Sequence, residues 1–381
     1  MATISVVMSS YNDASFIKEA ISSVLNQSYE DFEFIIVENG STDNSLQILT
    51  DIRDPRLSVT IFPVNKGSVV GMNAAITQAT GKYVALLNSD DYFLPDKLRI
   101  QVQYLDSHPA IGAVFGMCHL ITEEGITHPD PNHGEFFRHR HLDRSGYLRY
   151  FFFNGNCLCH PTAMIRRDLI SRIGLFDIRL RRMPDFDYWI RILLNSDFAV
   201  LDTQLAAHRY MDDASNESGA RPDVEAATAW EYAQILHHYL SMDEQTFSAT
   251  FQTELDAEGL TGLERRVQLG KIAIHTQHVS GRAFGLRMLY DALTDHAPGV
   301  TATDFHDLTG TLDVFGLNAR ARCELLETQN RKLTSQNQNM VNELIALKRD
   351  LSALTSSKTY RYTTWGRRLY RFVNSLRLYR P

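Results

Sequence analysis

Long apolar stretches are missing from this chain: no run of about 18 hydrophobic residues occurs that could cross a bilayer as a helix. The N-terminus passes almost at once into Ile4-Ser5-Val6-Val7-Met8, without the basic flank and apolar segment of a signal peptide, so the expectation is a cytoplasmic protein. Cysteine is scarce as well. Four thiols (Cys118, Cys157, Cys159, Cys323) in 381 residues give no disulfide framework, and Cys157 and Cys159 stand too close in sequence to bridge comfortably. With 11 prolines, 21 glycines and 44% hydrophobic residues, the composition excludes collagenous, mucin-like and mostly disordered chains, and the length predicts two or three folded units. Acids are absent from the last 31 residues, which hold seven of the 38 basic side chains. Residues 1–350 therefore carry 31 bases against 45 acids, a net −14, which argues against a body that grips nucleic acid and gives the tail a separate task.

From residue 3 to about 105, β-branched runs alternate with amphipathic segments. Ile4–Met8 precedes Ile17, Ala20, Ile21, Val24 and Leu25 at helical spacing; Phe34–Val37 precedes Ser41–Leu49, Leu57–Phe62 precedes Gly67–Ala79, and Tyr83–Leu87 precedes Pro95–Leu105. Continuous apolar strands between helices predict an α/β fold with a mostly parallel sheet covered on both faces, and such sheets bind ligands at the carboxyl ends of their strands. To about residue 215 the pattern is less regular, with a strand expected at Ile111–Met117, a His-, Pro- and Arg-rich loop at 128–144 and a helix from Asp185 to Leu194. A helical region is expected at 216–320, with periodicity in Ala226–Leu240, Leu263–Ile274 and Phe284–Leu293. Over 321–355 the spacing alternates four and three through Asn330, Leu333, Asn337, Met340, Leu344, Leu347, Leu351 and Leu354. Four heptads with Asn at two a positions predict a parallel coiled-coil dimer, against the plainer alternative of one amphipathic helix packed on its own body.

Polar residues gather where the strands end. The first strand runs into Ser9-Ser10-Tyr11-Asn12-Asp13, the second into Glu38-Asn39-Gly40-Ser41-Thr42-Asp43, the fourth into Asn88-Ser89-Asp90-Asp91. Such a cluster suits a nucleotide, since Tyr11 could stack on a base while the Asn39 amide reads its edge. Ser41 or Thr42 reads as an N-cap and Asp43 as an acid at the positive end of the next helix. Asp90 and Asp91, adjacent carboxylates that repel unless solvated or neutralised, suit a hard divalent cation such as Mg²⁺ or Mn²⁺; a capping role before Pro95-Asp96-Lys97 is the plain alternative. In Pro184-Asp185-Phe186-Asp187-Tyr188-Trp189-Ile190-Arg191, helical spacing sets Trp189 and Leu193 on the side of Asp185, which puts a candidate general base at a helix N-terminus; capping, with Asp185 or Asp187 pairing Arg191, is again the alternative.

Taken together, Ser5-Val6-Val7-Met8-Ser9-Ser10-Tyr11-Asn12, Val37-Glu38-Asn39-Gly40-Ser41-Thr42-Asp43, Gly81-Lys82-Tyr83, Asn88–Asp91 and Asp185-Phe186-Asp187-Tyr188-Trp189 resemble a family 2 glycosyltransferase of the GT-A fold over residues 3–212. The resemblance implies a GT-A domain at 1–215. It implies that Ser9, Tyr11 and Asn39 hold the nucleotide base, that Asp90, with Asp91 beside it, binds Mn²⁺ or Mg²⁺ at the donor diphosphate, and that Asp185 is the catalytic base of an inverting transfer. A nucleotide-sugar donor and a glycan or lipid-linked acceptor in surface polysaccharide or glycolipid assembly follow from the resemblance alone.

Three positions depart from the family pattern. Asn39 stands where many members have Asp, which favours a uracil or thymine edge over guanine, because an amide both donates and accepts. Asn88 replaces the first acid of the usual Asp-x-Asp, and Met211 replaces a His two residues after Arg209, with His208 as a candidate substitute. Acceptor recognition is expected near Asn154-Gly155-Asn156 and His160-Pro161-Thr162, ahead of a helix with Arg166 and Arg167. Zinc at Cys157, Cys159, His160, His128, His133, His139 and His141 is disfavoured, since the spacings match no standard ligand pattern. The tail at 356–381 mixes basic residues with Tyr360, Tyr362, Trp365, Tyr370, Phe372 and Tyr379, which suits peripheral contact with an anionic membrane; docking on the acidic body competes, and nucleic acid binding ranks last. A sugar nucleotidyltransferase would need a Gly-rich basic loop after the first strand, absent here. A weakened transferase acting as a scaffold through its coiled coil is the remaining alternative.

Overall fold

The computed structural model describes residues 2–128, 142–211, 222–255, 259–260 and 262–311, and one compact unit spans Met1–Leu312. The expected coiled coil and basic tail lie outside the described residues, as do His133, His139 and His141. Eight strands, β1 (Ile4–Ser10), β2 (Phe32–Asn39), β3 (Leu57–Phe62), β4 (Tyr83–Asn88), β5 (Tyr92–Phe93), β6 (Ile111–Ile121), β7 (Met164–Arg166) and β8 (Asp197–Arg209), form one mixed sheet in the order β3-β2-β1-β4-β7-β6-β8-β5. The first four strands pair in parallel, as the βαβα pattern predicts, while β7 joins β4 and β6 antiparallel.

Twelve α-helices are described. They are α1 (Ile17–Leu25), α2 (Ser45–Asp51), α3 (Ser68–Gln78), α4 (Lys97–Ser107), α5 (Arg144–Asn154), α6 (Arg167–Ile173), α7 (Pro184–Asn195), α8 (Pro222–Ile235), α9 (Glu244–Phe251), α10 (Gly262–Ile274), α11 (Val279–Thr294) and α12 (Ala302–Thr311). Alternating strand residues divide between two cores. Ile4, Val6, Met8, Phe34, Ile36 and Leu87 pack on α1 and α4, whereas Val7, Ile35, Val37, Val84 and Leu86 face α3, α5 and α7. The second of these cores continues through Tyr232, Leu236, Tyr239, Phe247 and Leu269, so the helical region expected after 215 shares its packing with α5 and α7.

Three differences from the sequence reading have local causes. β8 was not legible as a strand because Asp202-Thr203-Gln204 interrupts its apolar pattern where its pairing with β6 shifts register. The segment Ala226–Leu240 is two pieces, α8 and a 3₁₀ turn at Leu236–Ser241. β7 is three residues long, too short to carry a period. Phe34 is fully buried in a central strand, and Phe34→Ala is expected to cost about 3–5 kcal/mol, seen as a lower urea midpoint.

Candidate active site

Ser9 pairs with both Val37 and Asn88, and Ser10 with Glu38, so the loops after β1, β2 and β4 open at one level of the sheet edge. The first two are laced together. Thr42 N donates to Asn12 Oδ1 at 2.8 Å, Asn12 N to Ser41 Oγ at 3.0 Å, Asp13 N to Ser45 Oγ at 3.0 Å and Ala14 N to Asp43 Oδ2 at 3.0 Å. Asn12 has φ 56°, a left-handed conformation that Asn tolerates. Ser41 and Thr42 thus do not cap α2; its N-cap is Asn44, and the two hydroxyl residues join loops instead.

Of the residues expected at the base, Tyr11 is 40% exposed. Ser9 lies against α3, where a Cβ on Gly71 would come within 2.1 Å of its Oγ. Asn39 is fully buried, and its amide donates to Gly67 O (2.9 Å) and Asn65 Oδ1 (3.2 Å) while accepting from Lys66 N (2.9 Å). Both amide protons are therefore spent on tying the β3–α3 loop to the end of β2. Gly40, at φ +75°, completes that seam, because a Cβ there would sit 2.4 Å from the Val64 carbonyl carbon.

The two adjacent acids after β4 have different surroundings. Asp91 is 1% exposed, and its carboxylate accepts from Asn88 Nδ2 (2.8 Å), Arg209 N (2.8 Å) and His208 Nδ1 (3.0 Å). Burial alone would raise its pKa, but the His208 charge and these donors hold it below the ordinary value. The partner responds in kind: burial disfavours the imidazolium, yet Asp91 overrides it and pushes His208 up to about 10. Asn88, in place of an acid, donates a hydrogen bond to Asp91 where a carboxylate would repel it. Asp90 takes the cost. Burial first, then repulsion by Asp91 and Asp13, pushes its pKa up to about 8. Asp13, also raised by burial, accepts a hydrogen bond from Ser89 Oγ. Arg209, missed by the sequence reading although it is a lone cation ending an apolar run, is buried; its guanidinium donates to the carbonyls of Asp90 (2.9 Å) and Glu123 (2.6 Å) and pairs with Glu19 (2.6 Å).

Asp185 stands in the first turn of α7, behind Pro184, with Trp189 and Leu193 buried on the sheet side. Its oxygens accept from Phe186 N (2.8 Å) and Asn156 Nδ2 (3.1 Å), and burial pushes its pKa up to about 6. Arg191 pairs with Asp187 (2.8 Å), not with Asp185. The charge of His208 reaches both Asp90 and Asp185 and lowers the pKa of each against the effect of burial. Asn156, assigned by sequence to an acceptor loop, is a partner of Asp185. Arg166 and Arg167 from the same stretch are spent on backbone carbonyls, Arg166 on Ile111 (2.7 Å) and Leu105 (2.6 Å), Arg167 on Gly81 (2.7 Å). His160 is pushed down to about 4 by burial and packs between Phe176 and Trp189.

Divalent metal passes a fit test at Asp90. With Asp91 saturated, Asp90 is the carboxylate whose charge burial and two neighbouring acids, Asp91 and Asp13, make costly, and a cation would relieve it. Among the described residues no group of three or more His, Cys, Asp or Glu could hold a metal by itself. Asn88→Asp should remove a donor and add repulsion, lowering stability by about 1–3 kcal/mol in metal-free buffer, measured by thermal unfolding.

The family model for glycosyl transferase family 2 matches residues 5–174. TuaG of Bacillus subtilis, a glycosyltransferase provisionally assigned to teichuronic acid biosynthesis, is 39% identical over 192 residues, covering 50% of this chain and 71% of that protein. An uncharacterized glycosyltransferase of Methanocaldococcus jannaschii is 30% identical over 211 residues, covering 54% of this chain and 70% of its own length. Other relatives are spanned less fully, such as one of Nostoc, 39% identical over 38% of its length. The crystal structure of S. aureus TarS 1-349 in complex with UDP shares the fold at TM-score 0.52 and 19% identity, over 79% of this chain and 93% of that one.

Proposed function

The chain belongs to glycosyltransferase family 2, and on that premise we propose that it moves a sugar, with inversion, from a uridine or thymidine diphosphate donor to a hydroxyl of a glycan or lipid-linked acceptor in cell-surface polysaccharide or glycolipid assembly. The observation that carries the reading is the pair of half-buried carboxylates, Asp90 and Asp185, that both feel the charge of His208 and whose pKa values are pushed up to about 8 and about 6. Support for a uridine donor comes from TarS, whose structures hold UDP and UDP-GlcNAc, and support for a surface glycan from the assignment of TuaG.

In this mechanism Tyr11 stacks on the base. Ser9 and Asn39 shape the pocket wall, Asn39 by holding the 65–67 loop in place. Asp90 would hold Mn²⁺ or Mg²⁺, which supplies charge stabilisation for the departing diphosphate. Asp91 acts through Asp90: fixed by Asn88, Arg209 and His208, it keeps the β4 loop in register. At the other end Asp185 accepts the acceptor hydroxyl proton as that oxygen forms a bond to the anomeric carbon. The bond from that carbon to the diphosphate oxygen breaks on the opposite face, and the nucleoside diphosphate leaves with the electron pair. A base with its pKa near 6 is deprotonated at neutral pH yet still basic enough to take a proton.

UDP with Mn²⁺ at 100 times its dissociation constant should raise stability by about 2.7 kcal/mol in wild type and by far less in Asp90→Ala, read by thermal shift across a nucleotide panel. Absence of nucleotide binding under every condition would instead favour the scaffold reading. Asp185→Asn should leave UDP binding intact while lowering UDP release from the donor by about 10²–10⁴-fold. Wild-type turnover should rise with pH through about 6 as Asp185 loses its proton, and an acid limb unchanged in Asp185→Asn would remove the assignment.

A further inference from the structure

Helix α7 carries the catalytic base yet has no cap of its own. Its N-cap is Met183, whose side chain offers no oxygen, and Pro184 follows without an N–H. The turn that leads into it is held instead from the helical region. Glu231, on α8 and 4% exposed, accepts from the backbone N–H groups of Arg181 (2.8 Å), Arg182 (2.8 Å) and Met183 (2.9 Å). The neighbouring contacts fall on the residues that follow Asp185. Tyr232 stacks on Phe186, with centroids 5.5 Å apart at 29°, and donates from its hydroxyl to Phe151 O at 2.8 Å. His238 Nε2 lies 2.6 Å from Asp187 Oδ1. The backbone just before Asp185 and the side chains just after it are thus both gripped by one segment, 231–238.

From this geometry we infer that Glu231 is a positioning residue for Asp185, and that the 222–241 segment of the helical region serves the chemistry by setting the base. The inference rests on the reading of Asp185 as the base. Glu231 touches neither substrate nor cofactor; it acts through the 181–183 backbone. Removing its carboxylate leaves three backbone N–H groups of the turn before α7 without their shared acceptor, which frees that turn, and with it the start of α7, to shift. A general base works within a hydrogen bond of its proton, and a displacement of about 1 Å costs roughly 10²-fold in rate.

The test uses the full chain, with UDP-GlcNAc as donor, or whichever of UDP-glucose, UDP-galactose and UDP-GalNAc the nucleotide panel selects, and follows UDP release. Glu231→Ala is expected to lower kcat by about 10²-fold and Glu231→Gln, which keeps one acceptor oxygen, by about tenfold, with donor KM and UDP affinity within twofold of wild type. Tyr239→Phe is the structural control: it removes a 2.7 Å bond to Leu148 O from the same segment, away from α7, and should lower Tm with kcat within twofold. In the double variant Asp185→Asn/Glu231→Gln, turnover should match Asp185→Asn alone, because both changes act through one group. If Glu231→Gln binds UDP and keeps wild-type kcat, or if its loss adds in full to that of Asp185→Asn, the inference falls while the base assignment stands. If Asp185→Asn turns over normally, both fall.

Discussion

The buried carboxylate of Asp91 is the knot of this molecule. It draws the end of β4, through Asn88, to the end of β8, through Arg209 and His208, and no other part of the sheet edge could hold its shape if that charge were unpaired. The cost of burying it is met by one cation, one amide and one backbone N–H. Its neighbour Asp90 then occupies a place where negative charge is expensive.

The same division recurs at the other end of the cleft. Of Asp185 and Asp187, the second is spent on Arg191 and His238, and the first is left with two weaker neutral donors and a raised pKa. In both pairs one carboxylate is saturated to fix the backbone, and the adjacent one keeps a reactive, poorly stabilised charge. A single acid in either place would have to do both tasks, and stabilising it would make it inert.

Much of the frame was readable from the chain. β1–β4 and the helices between them follow from period and turn chemistry within a few residues, and the acids after β4 and at α7 stand out by type and place. What was illegible depends on partners far apart in sequence. Nothing near Asn39 says that its amide is used by residues 65–67, and nothing near Met183 says that its backbone N–H is held 48 residues onward by Glu231. Ser41 and Thr42 looked like caps because capping is the commonest use of a hydroxyl before a helix; the opposing loop after β1 competes for them and wins. β8 hid because its irregular pairing breaks the alternation on which strand recognition relies.

The common core of the sheet and the helical region also bears on the order in which the protein is made. β1 to β4, whose ends carry the loops of the candidate site, leave the ribosome more than a hundred residues before Glu231, Tyr232 and His238 do. During synthesis the start of α7 is therefore made before the residues that hold it. The core shared by the sheet and the helical region cannot close until that later segment has been made.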